Sequence, residues 1–149
     1  MKAVIQRVRS ASLSVDDEIV SEIGVGLCVY LCAEQGDKSE YGDYMAKKIA
    51  NMRIFSDAEG KMNLSVKDVG GSILLISQFT LCADTSHGNR PSFSTAMPAD
   101  AAKVEYLRFA ELLKGYDVPV FLGVFGADMQ IMQHNDGPVT IIMQRNESV

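Results

Sequence analysis

The sequence contains few of the residues from which most catalytic and metal sites are built. Its 149 residues include two histidines, three cysteines and no tryptophan. A structural zinc site needs about four Cys or His ligands at suitable spacing. His87, His134 and the scattered cysteines do not supply such a set. We therefore expect no metal, and the lack of a Walker or Rossmann glycine loop leads us to expect no cofactor either.

Long apolar segments are also missing. No stretch reaches the roughly 18 residues of a membrane span, and charge at Lys2 and Arg7 comes too early for a signal peptide. The cysteines, Cys28, Cys32 and Cys82, are odd in number and form no C-x-x-C motif. This usage indicates free thiols in a reducing compartment. We predict a cytoplasmic protein with no membrane partner, in which Cys28 and Cys32 belong to the core.

The bulk composition is that of one ordinary globular domain, which we place at residues 1–149. Hydrophobic residues make up 47% and charged residues 22% of the chain, a typical balance. The net charge of −5 argues against a protein that coats nucleic acid through its phosphates. It is compatible with a protein that grips only a short single-stranded end.

Hydrophobic patterning predicts about eight strands and two helices. Asp100 is expected to cap the second helix and Gly115 to end it. The excess of strands and the short connections predict an α+β domain: a largely antiparallel sheet or barrel with two helices packed on it. Residues 82–98 form a long loop, which in a compact domain is usually functional or disordered. The predicted strands are 2–9, 12–15, 19–23, 24–32, 72–81, 119–125, 128–133 and 139–144, and the predicted helices are 38–52 and 101–114.

No familiar set of catalytic side chains is visible. Ser77, Asp84 and His87 would be the only candidates for a Ser-His-Asp triad. Ser77, however, follows an apolar strand and lacks the G-x-S-x-G elbow that exposes such a nucleophile. If the protein is an enzyme, its chemistry does not depend on a standard side-chain set.

Two segments are unusual for a plain core. Residues 77–81 place polar side chains at the end of the apolar run 73–76, which indicates either a fraying strand or a ligand site. Residues 135–140 contain Asp-Gly-Pro between two apolar stretches, which is a turn signal. The same Gly-Pro could instead present its carbonyls to a ligand. The residues alone leave both alternatives open.

These two segments resemble the signature motifs of the D-aminoacyl-tRNA deacylase family. They read Ser77-Gln78-Phe79-Thr80-Leu81 and Asn135-Asp136-Gly137-Pro138-Val139-Thr140. The resemblance extends to residues 3–8, 88–93 and 123–129. It implies a barrel-like domain that forms a twofold homodimer and binds the aminoacyl-tRNA 3′ end. The implied reaction is hydrolysis of the ester of D-aminoacyl-tRNA to free D-amino acid and tRNA.

The resemblance also implies roles for particular residues. The catalytic segment is Ser77, Gln78, Phe79 and Thr80. Gly137-Pro138, joined by a cis bond, inserts into the pocket of the partner subunit, where both carbonyls face the substrate. The other implied substrate-binding residues are Arg7, which holds that orientation, Phe125, which stacks on the terminal adenine, and Met129, Asn135 and Val139.

A mechanism follows as a hypothesis. Two rigid carbonyls would hold the α-ammonium group of the substrate, so that an L side chain clashes and a D side chain does not. Glycine would pass, including glycine mischarged on tRNA-Ala. Thr80 could act as nucleophile, but no base is evident to activate it. We prefer an oxyanion hole of backbone N–H groups near Phe79 and Thr80, with water assisted by the ribose 2′-hydroxyl.

Two alternatives remain from the sequence. One is an L-amino-acid editing deacylase of related fold, which would differ in a trans Gly-Pro bond. The other is a non-catalytic dimeric module that binds RNA ends or small ligands. Turnover of D-, L- and glycyl-tRNA would distinguish the three.

Overall fold

The computed structural model describes residues 1–148 and contains eight strands, two α-helices and one 3₁₀ helix. The strands are β1 (Lys2–Val15), β2 (Glu18–Ile23), β3 (Gly26–Cys32), β4 (Phe55–Ser56), β5 (Met62–Leu64), β6 (Ser72–Ser77), β7 (Val120–Leu122) and β8 (Gln130–Gln144). The helices are α1 (Ser39–Asn51) and α2 (Ala99–Lys114), and the 3₁₀ helix spans Phe79–Cys82.

The main sheet has the order β2-β1-β3-β6-β7, and β8 pairs with the other edge of β1. The β1–β2, β1–β3 and β1–β8 pairs are antiparallel, whereas β3–β6 and β6–β7 are parallel. The sheet curls into a nearly barrel-shaped layer with the two helices packed on it. The predicted α+β class is confirmed, and the parallel centre is the feature that patterning did not indicate.

Strands β3 and β6 are buried on both faces. Leu27, Val29 and Leu31 face the cluster that contains α1 and α2, while Cys28 faces a second cluster. Strands covered on both sides read as continuous apolar runs instead of alternating ones, and for this reason they were readable from the sequence. Each fully buried aliphatic side chain contributes about 1.5–3 kcal/mol to stability.

The expected hairpin at residues 135–140 is wrong. The predicted strands 128–133 and 139–144 form the single 15-residue strand β8. Strand β1, with 14 residues, offers a partner long enough for all of it. The Asp-Gly-Pro segment is accommodated by register irregularities between Gln6 and Val8 and between Val8 and Ser10.

Smaller differences concern the ends of elements. Strand β6 ends at Ser77, so the predicted strand 72–81 continues as a 3₁₀ helix. Helix α2 begins directly after Pro98, and Asp100 lies within its first turn without a capping hydrogen bond. The expected end at Gly115 and the expected hairpin between β1 and β2 are confirmed. Neither helix among residues 1–148 is long and apolar enough to cross a bilayer.

The cysteines differ from the expectation of three free thiols. Cys28 is free and buried, whereas Cys32 and Cys82 form a disulfide. Leu31 pairs with Ser77 across the parallel strands, so the end of β3 comes next to the 3₁₀ helix. No local motif could reveal this contact, because 50 residues separate the two cysteines.

Candidate functional site

A cavity of about 640 Å³ opens at the carboxyl ends of β3 and β6. This end of parallel strands is where open α/β sheets usually bind ligands. The cavity brings together five of the predicted site residues, which come from two separate parts of the chain. They are Ser77, Gln78, Phe79, Phe125 and Met129.

The backbone of the 3₁₀ helix offers two free donors at the cavity. The N–H of Gln78 donates to Leu31 O at 2.8 Å, which anchors the segment to β3. Within residues 1–148 no acceptor is recorded for the N–H groups of Phe79 and Thr80. The first N–H groups of a helix have no partner inside that helix. Two adjacent free donors of this kind can bind a negatively charged oxygen.

Thr80 itself is exposed and does not line the cavity. Its hydroxyl accepts a hydrogen bond from Gln78 Nε2. No histidine, lysine or carboxylate is recorded in contact with that hydroxyl within the described part of the chain. The side chain therefore has no base that could activate it as a nucleophile.

The long loop and the start of α2 form a wall that sequence reasoning missed. Phe93 packs edge-on against Phe79, with ring centroids 5.3 Å apart. Tyr106 lines the cavity and donates from its hydroxyl to Leu75 O at 2.7 Å. Burial raises the pKa of Tyr106 to about 12, so the hydroxyl keeps its proton at neutral pH. The only advance signal for this wall was the unusual length of the loop.

Phe125 and Met129 close the cavity from the segment that follows β7. The Phe125 ring lies 5.9 Å from that of Tyr106. Met129 passes over Gly123, where an added Cβ would lie 2.7 Å from its sulfur. Glycine at position 123 thus lets the methionine reach the cavity.

The second predicted group, around Gly137-Pro138, lies outside this cavity. The Gly137-Pro138 peptide bond is cis, and both residues are exposed. Asn135 is exposed and accepts a hydrogen bond from Gln133 Nε2 at 2.8 Å. Val139 is half-buried against the helix-side core. These residues share one stretch of β8 and present Gly-Pro to solvent.

Arg7 fastens this stretch from behind. Its Nε donates to Asp136 O at 3.2 Å, and its Nη1 donates to Ile54 O at 2.6 Å. The guanidinium also lies 3.4 Å from the Asp136 carboxylate, and its side chain is only 11% exposed. Gly137 has a φ of 133°, and a Cβ there would lie 2.7 Å from Val139 N. The segment therefore requires glycine at 137.

One chain does not bring the two groups together. Arg7 pairs with Leu27, whereas Cys32, which lines the cavity, lies five residues further along β3. At about 3.3 Å per residue this is a separation of roughly 17 Å along the strand. The cavity and the Gly-Pro segment thus occupy opposite ends of the central strands.

Standard catalytic sets are not assembled. His87 Nδ1 lies 2.7 Å from Ser86 Oγ in the exposed loop, and Asp84 accepts from the Ser86 N–H. Neither residue is recorded in contact with Ser77. Among residues 1–148 no group of three His, Cys, Asp or Glu side chains is placed to hold a metal ion.

The chain was compared with known proteins. The family model described as D-Tyr-tRNA(Tyr) deacylase matches residues 4–144. A curated relative named D-aminoacyl-tRNA deacylase from Ruegeria pomeroyi is 52% identical over 143 residues, covering 96% of this chain and 99% of the relative. One with the same name from Cereibacter sphaeroides is 50% identical over 144 residues, covering 97% and 99%.

Solved structures agree with this assignment. A chain titled c-Myc DNA Unwinding Element Binding Protein superposes with a TM-score of 0.92 at 42% identity, covering 98% of this chain and 99% of that one. A chain titled as a probable eukaryotic D-amino acid tRNA deacylase has a TM-score of 0.79 at 18% identity, covering 95% and 97%, and shows the shared fold. The protein described here is a member of the D-aminoacyl-tRNA deacylase family.

Proposed function

We propose that this chain hydrolyses the ester between a D-amino acid and the 3′ end of tRNA. Family membership over nearly the whole chain supports this activity. The structural observation that carries the proposal is the pair of free N–H groups at Phe79 and Thr80, beside a cavity that lacks a side-chain acid–base set. Such a site suits a substrate that is already an activated ester.

In the proposed reaction the two N–H groups donate to the ester carbonyl oxygen as it becomes negative. Water adds to the carbonyl carbon, the bond to the ribose 3′ oxygen breaks, and that oxygen takes up a proton. The neighbouring ribose 2′-hydroxyl assists the attacking water. Thr80 then contributes its backbone and not its hydroxyl, in keeping with the absence of a recorded base.

We propose that Gly137-Pro138 acts in the cavity of a second copy of the chain. Within one chain the two groups lie roughly 17 Å apart along β3. Strand β8 pairs only with β1 among residues 1–148, so its outer edge is open. On this strand Met132 is 76% exposed and Ile142 is 78% exposed. An open, partly apolar edge is suited to association with a partner.

The Gly137 and Pro138 carbonyls would then select the D configuration. They hold the substrate α-ammonium by charge-assisted hydrogen bonds, and the side chain of an L-residue would collide with the same backbone. Exclusion by a factor of about 10⁴ requires roughly 5.5 kcal/mol. Glycine has no side chain to collide, so glycyl-tRNA, including glycine mischarged on tRNA-Ala, is also a substrate in this proposal.

Phe125 and Met129 are proposed to receive the terminal adenosine. Both line the cavity and both are half-buried. Stacking of a base on an aromatic ring contributes about 1–3 kcal/mol. We place the protein in the cytoplasm, where charged tRNA is used in translation.

The decisive experiment measures hydrolysis of matched D-tyrosyl-, L-tyrosyl- and glycyl-tRNA by the purified protein with EDTA present. We expect rapid loss of the D-ester, a slower loss of the glycyl ester and an intact L-ester. Cleavage of the L-ester would contradict the chiral proposal and favour an L-editing enzyme. Binding without turnover would favour a non-catalytic module. Complete resistance of glycyl-tRNA would contradict selection by collision.

A further inference from the structure

A basic groove runs along the second half of α1. It has a volume of about 720 Å³, and we call it the α1 groove. Lys47 and Lys48 are exposed on the helix, and Arg53 is exposed just beyond its end. The lining residues are Tyr44, Lys47, Lys48, Asn51, Met52 and Arg53.

Arg145 adds a fourth positive charge to the α1 groove. Its guanidinium carbon lies 4.5 Å from the centroid of the Tyr44 ring, and Lys48 Nζ lies 5.6 Å from the same centroid. These distances are within the range of cation–π attraction. Tyr44 thus holds two cations near each other at the surface.

These four cations have no recorded carboxylate partner. Among residues 1–148 none of Lys47, Lys48, Arg53 and Arg145 lies within 4.0 Å of a carboxylate, whereas half of the 14 lysines and arginines do. The helix dipole favours one lysine in the last turn of α1. It does not account for two arginines outside the helix. In a chain of net charge −5, such clustering indicates a polyanionic partner.

The α1 groove ends next to the Gly-Pro segment. Arg53 precedes Ile54, whose carbonyl accepts from Arg7, and Arg7 also binds Asp136 O. In the proposed dimer this places the groove beside the cavity of the partner subunit. An RNA whose 3′ end enters that cavity would pass close to the groove.

We infer that the α1 groove binds phosphates of the acceptor arm of a tRNA whose 3′ end lies in the partner's cavity. The inference rests on the proposed function and extends it from the 3′ end to the RNA body. It also reconciles an acidic protein with an RNA substrate. The overall charge disfavours nonspecific coating, while one local cluster supplies contacts near the site.

The test compares Lys47→Glu/Lys48→Glu with Lys67→Glu/Lys114→Glu, a control with the same charge change on other surfaces. Binding of uncharged tRNA and hydrolysis of D-aminoacyl-tRNA are measured over a range of salt concentrations. At about 0.1 M salt we expect the groove variant to bind tRNA and to show KM weakened roughly 10-fold. Its salt slope should fall by about one per lost contact. The control should match the unmodified protein.

A second substrate separates this inference from the proposed function. A D-aminoacyl ester of the 3′-terminal trinucleotide lacks the acceptor arm, so the groove variant should cleave it at the normal kcat/KM. Equal loss on both substrates, or no loss on either, would overturn the groove as an RNA contact. Failure of the unmodified protein to bind tRNA would overturn it too. Failure to hydrolyse either ester while tRNA still binds would instead contradict the proposed reaction.

Discussion

The Ser77–Cys82 segment and the Gly137-Pro138 segment follow the same local pattern but are built in opposite ways. The first continues a buried central strand and is anchored by the Gln78 N–H on Leu31 O. The second lies on an exposed edge strand and is fastened mainly by Arg7. One segment forms part of a cavity, and the other projects from the surface.

This difference separates a receiving part from an inserted part. The cavity is complete within one chain, because the parallel strands, the loop and α2 all contribute to it. The Gly-Pro segment has a fixed shape but no cavity of its own at its end of the sheet. The comparison therefore predicts that damage to the two segments can be repaired only between chains.

The largest effect should come from mixing two inactive variants. Gly137→Val forces a side chain against Val139 N, and Ala102→Trp fills the cavity that Ala102 lines. Each variant alone should be inactive. After mixing and subunit exchange, about a quarter of the normal activity should return, because half of the dimers are mixed and each has one intact site. Sedimentation and circular dichroism verify dimers and folding, and absence of recovery would place both segments in one chain's site.

The next effect isolates the backbone donor at Phe79. Phe79→Pro removes its N–H, and Phe79→Ala is the matched control for loss of the ring. Proline is tolerated in the first turn of a helix, and Gln78 already has an extended φ of −143°. We expect kcat to fall about 10²–10³-fold further in the proline variant than in the alanine variant.

Thr80→Ala completes this test, since it keeps the N–H and removes only the hydroxyl. It should retain most of the activity. A loss of more than about 10³-fold would instead make the hydroxyl a nucleophile.

An intermediate effect is expected at Arg7. Arg7→Ala removes charge-assisted hydrogen bonds to Asp136 O and Ile54 O, each contributing about 1.5–3 kcal/mol. If one such contribution is lost from the transition state, kcat/KM for the D-ester falls roughly 10- to 150-fold. Arg9→Ala serves as control, since that side chain is 66% exposed and lies 3.6 Å from the Asp136 carboxylate. Equal effects at both positions would argue against a positioning role for Arg7.

The smallest effect should be at the framework of the cavity. Tyr106→Phe removes the hydrogen bond to Leu75 O, which still accepts from the Gly123 N–H. The free energy of unfolding should fall by about 1 kcal/mol, measured by urea denaturation, with little change in kcat. Tyr116→Phe should have no effect, because no hydrogen bond of its hydroxyl is recorded in residues 1–148. A large loss of kcat in Tyr106→Phe would give this hydroxyl a direct role.

Much of the fold was predictable because burial leaves a pattern in the chain. Strands β3 and β6 are continuous apolar runs, and both helices carry apolar residues at helical spacing. The segment at residues 135–140 was mispredicted because Asp-Gly-Pro is a local turn signal. A 14-residue partner strand outweighed that signal.

The candidate site was predictable only in part. The two motifs were found, but local sequence could not show that they lie at opposite ends of the central strands. The wall formed by Phe93 and Tyr106 and the bond between Cys32 and Cys82 depend on chain crossings. Contacts between residues distant in sequence leave no periodic trace, so these required the structure.

The two free N–H groups have a consequence for how such an enzyme can change over generations. Nearly every codon specifies a residue that carries an N–H, so most substitutions at positions 79 and 80 would leave the proposed donors in place. Inheritance then preserves the path of the backbone more than the identity of any side chain. Surveys that replace residues by alanine would pass over this site, and natural variation there would be a poor guide to lost activity.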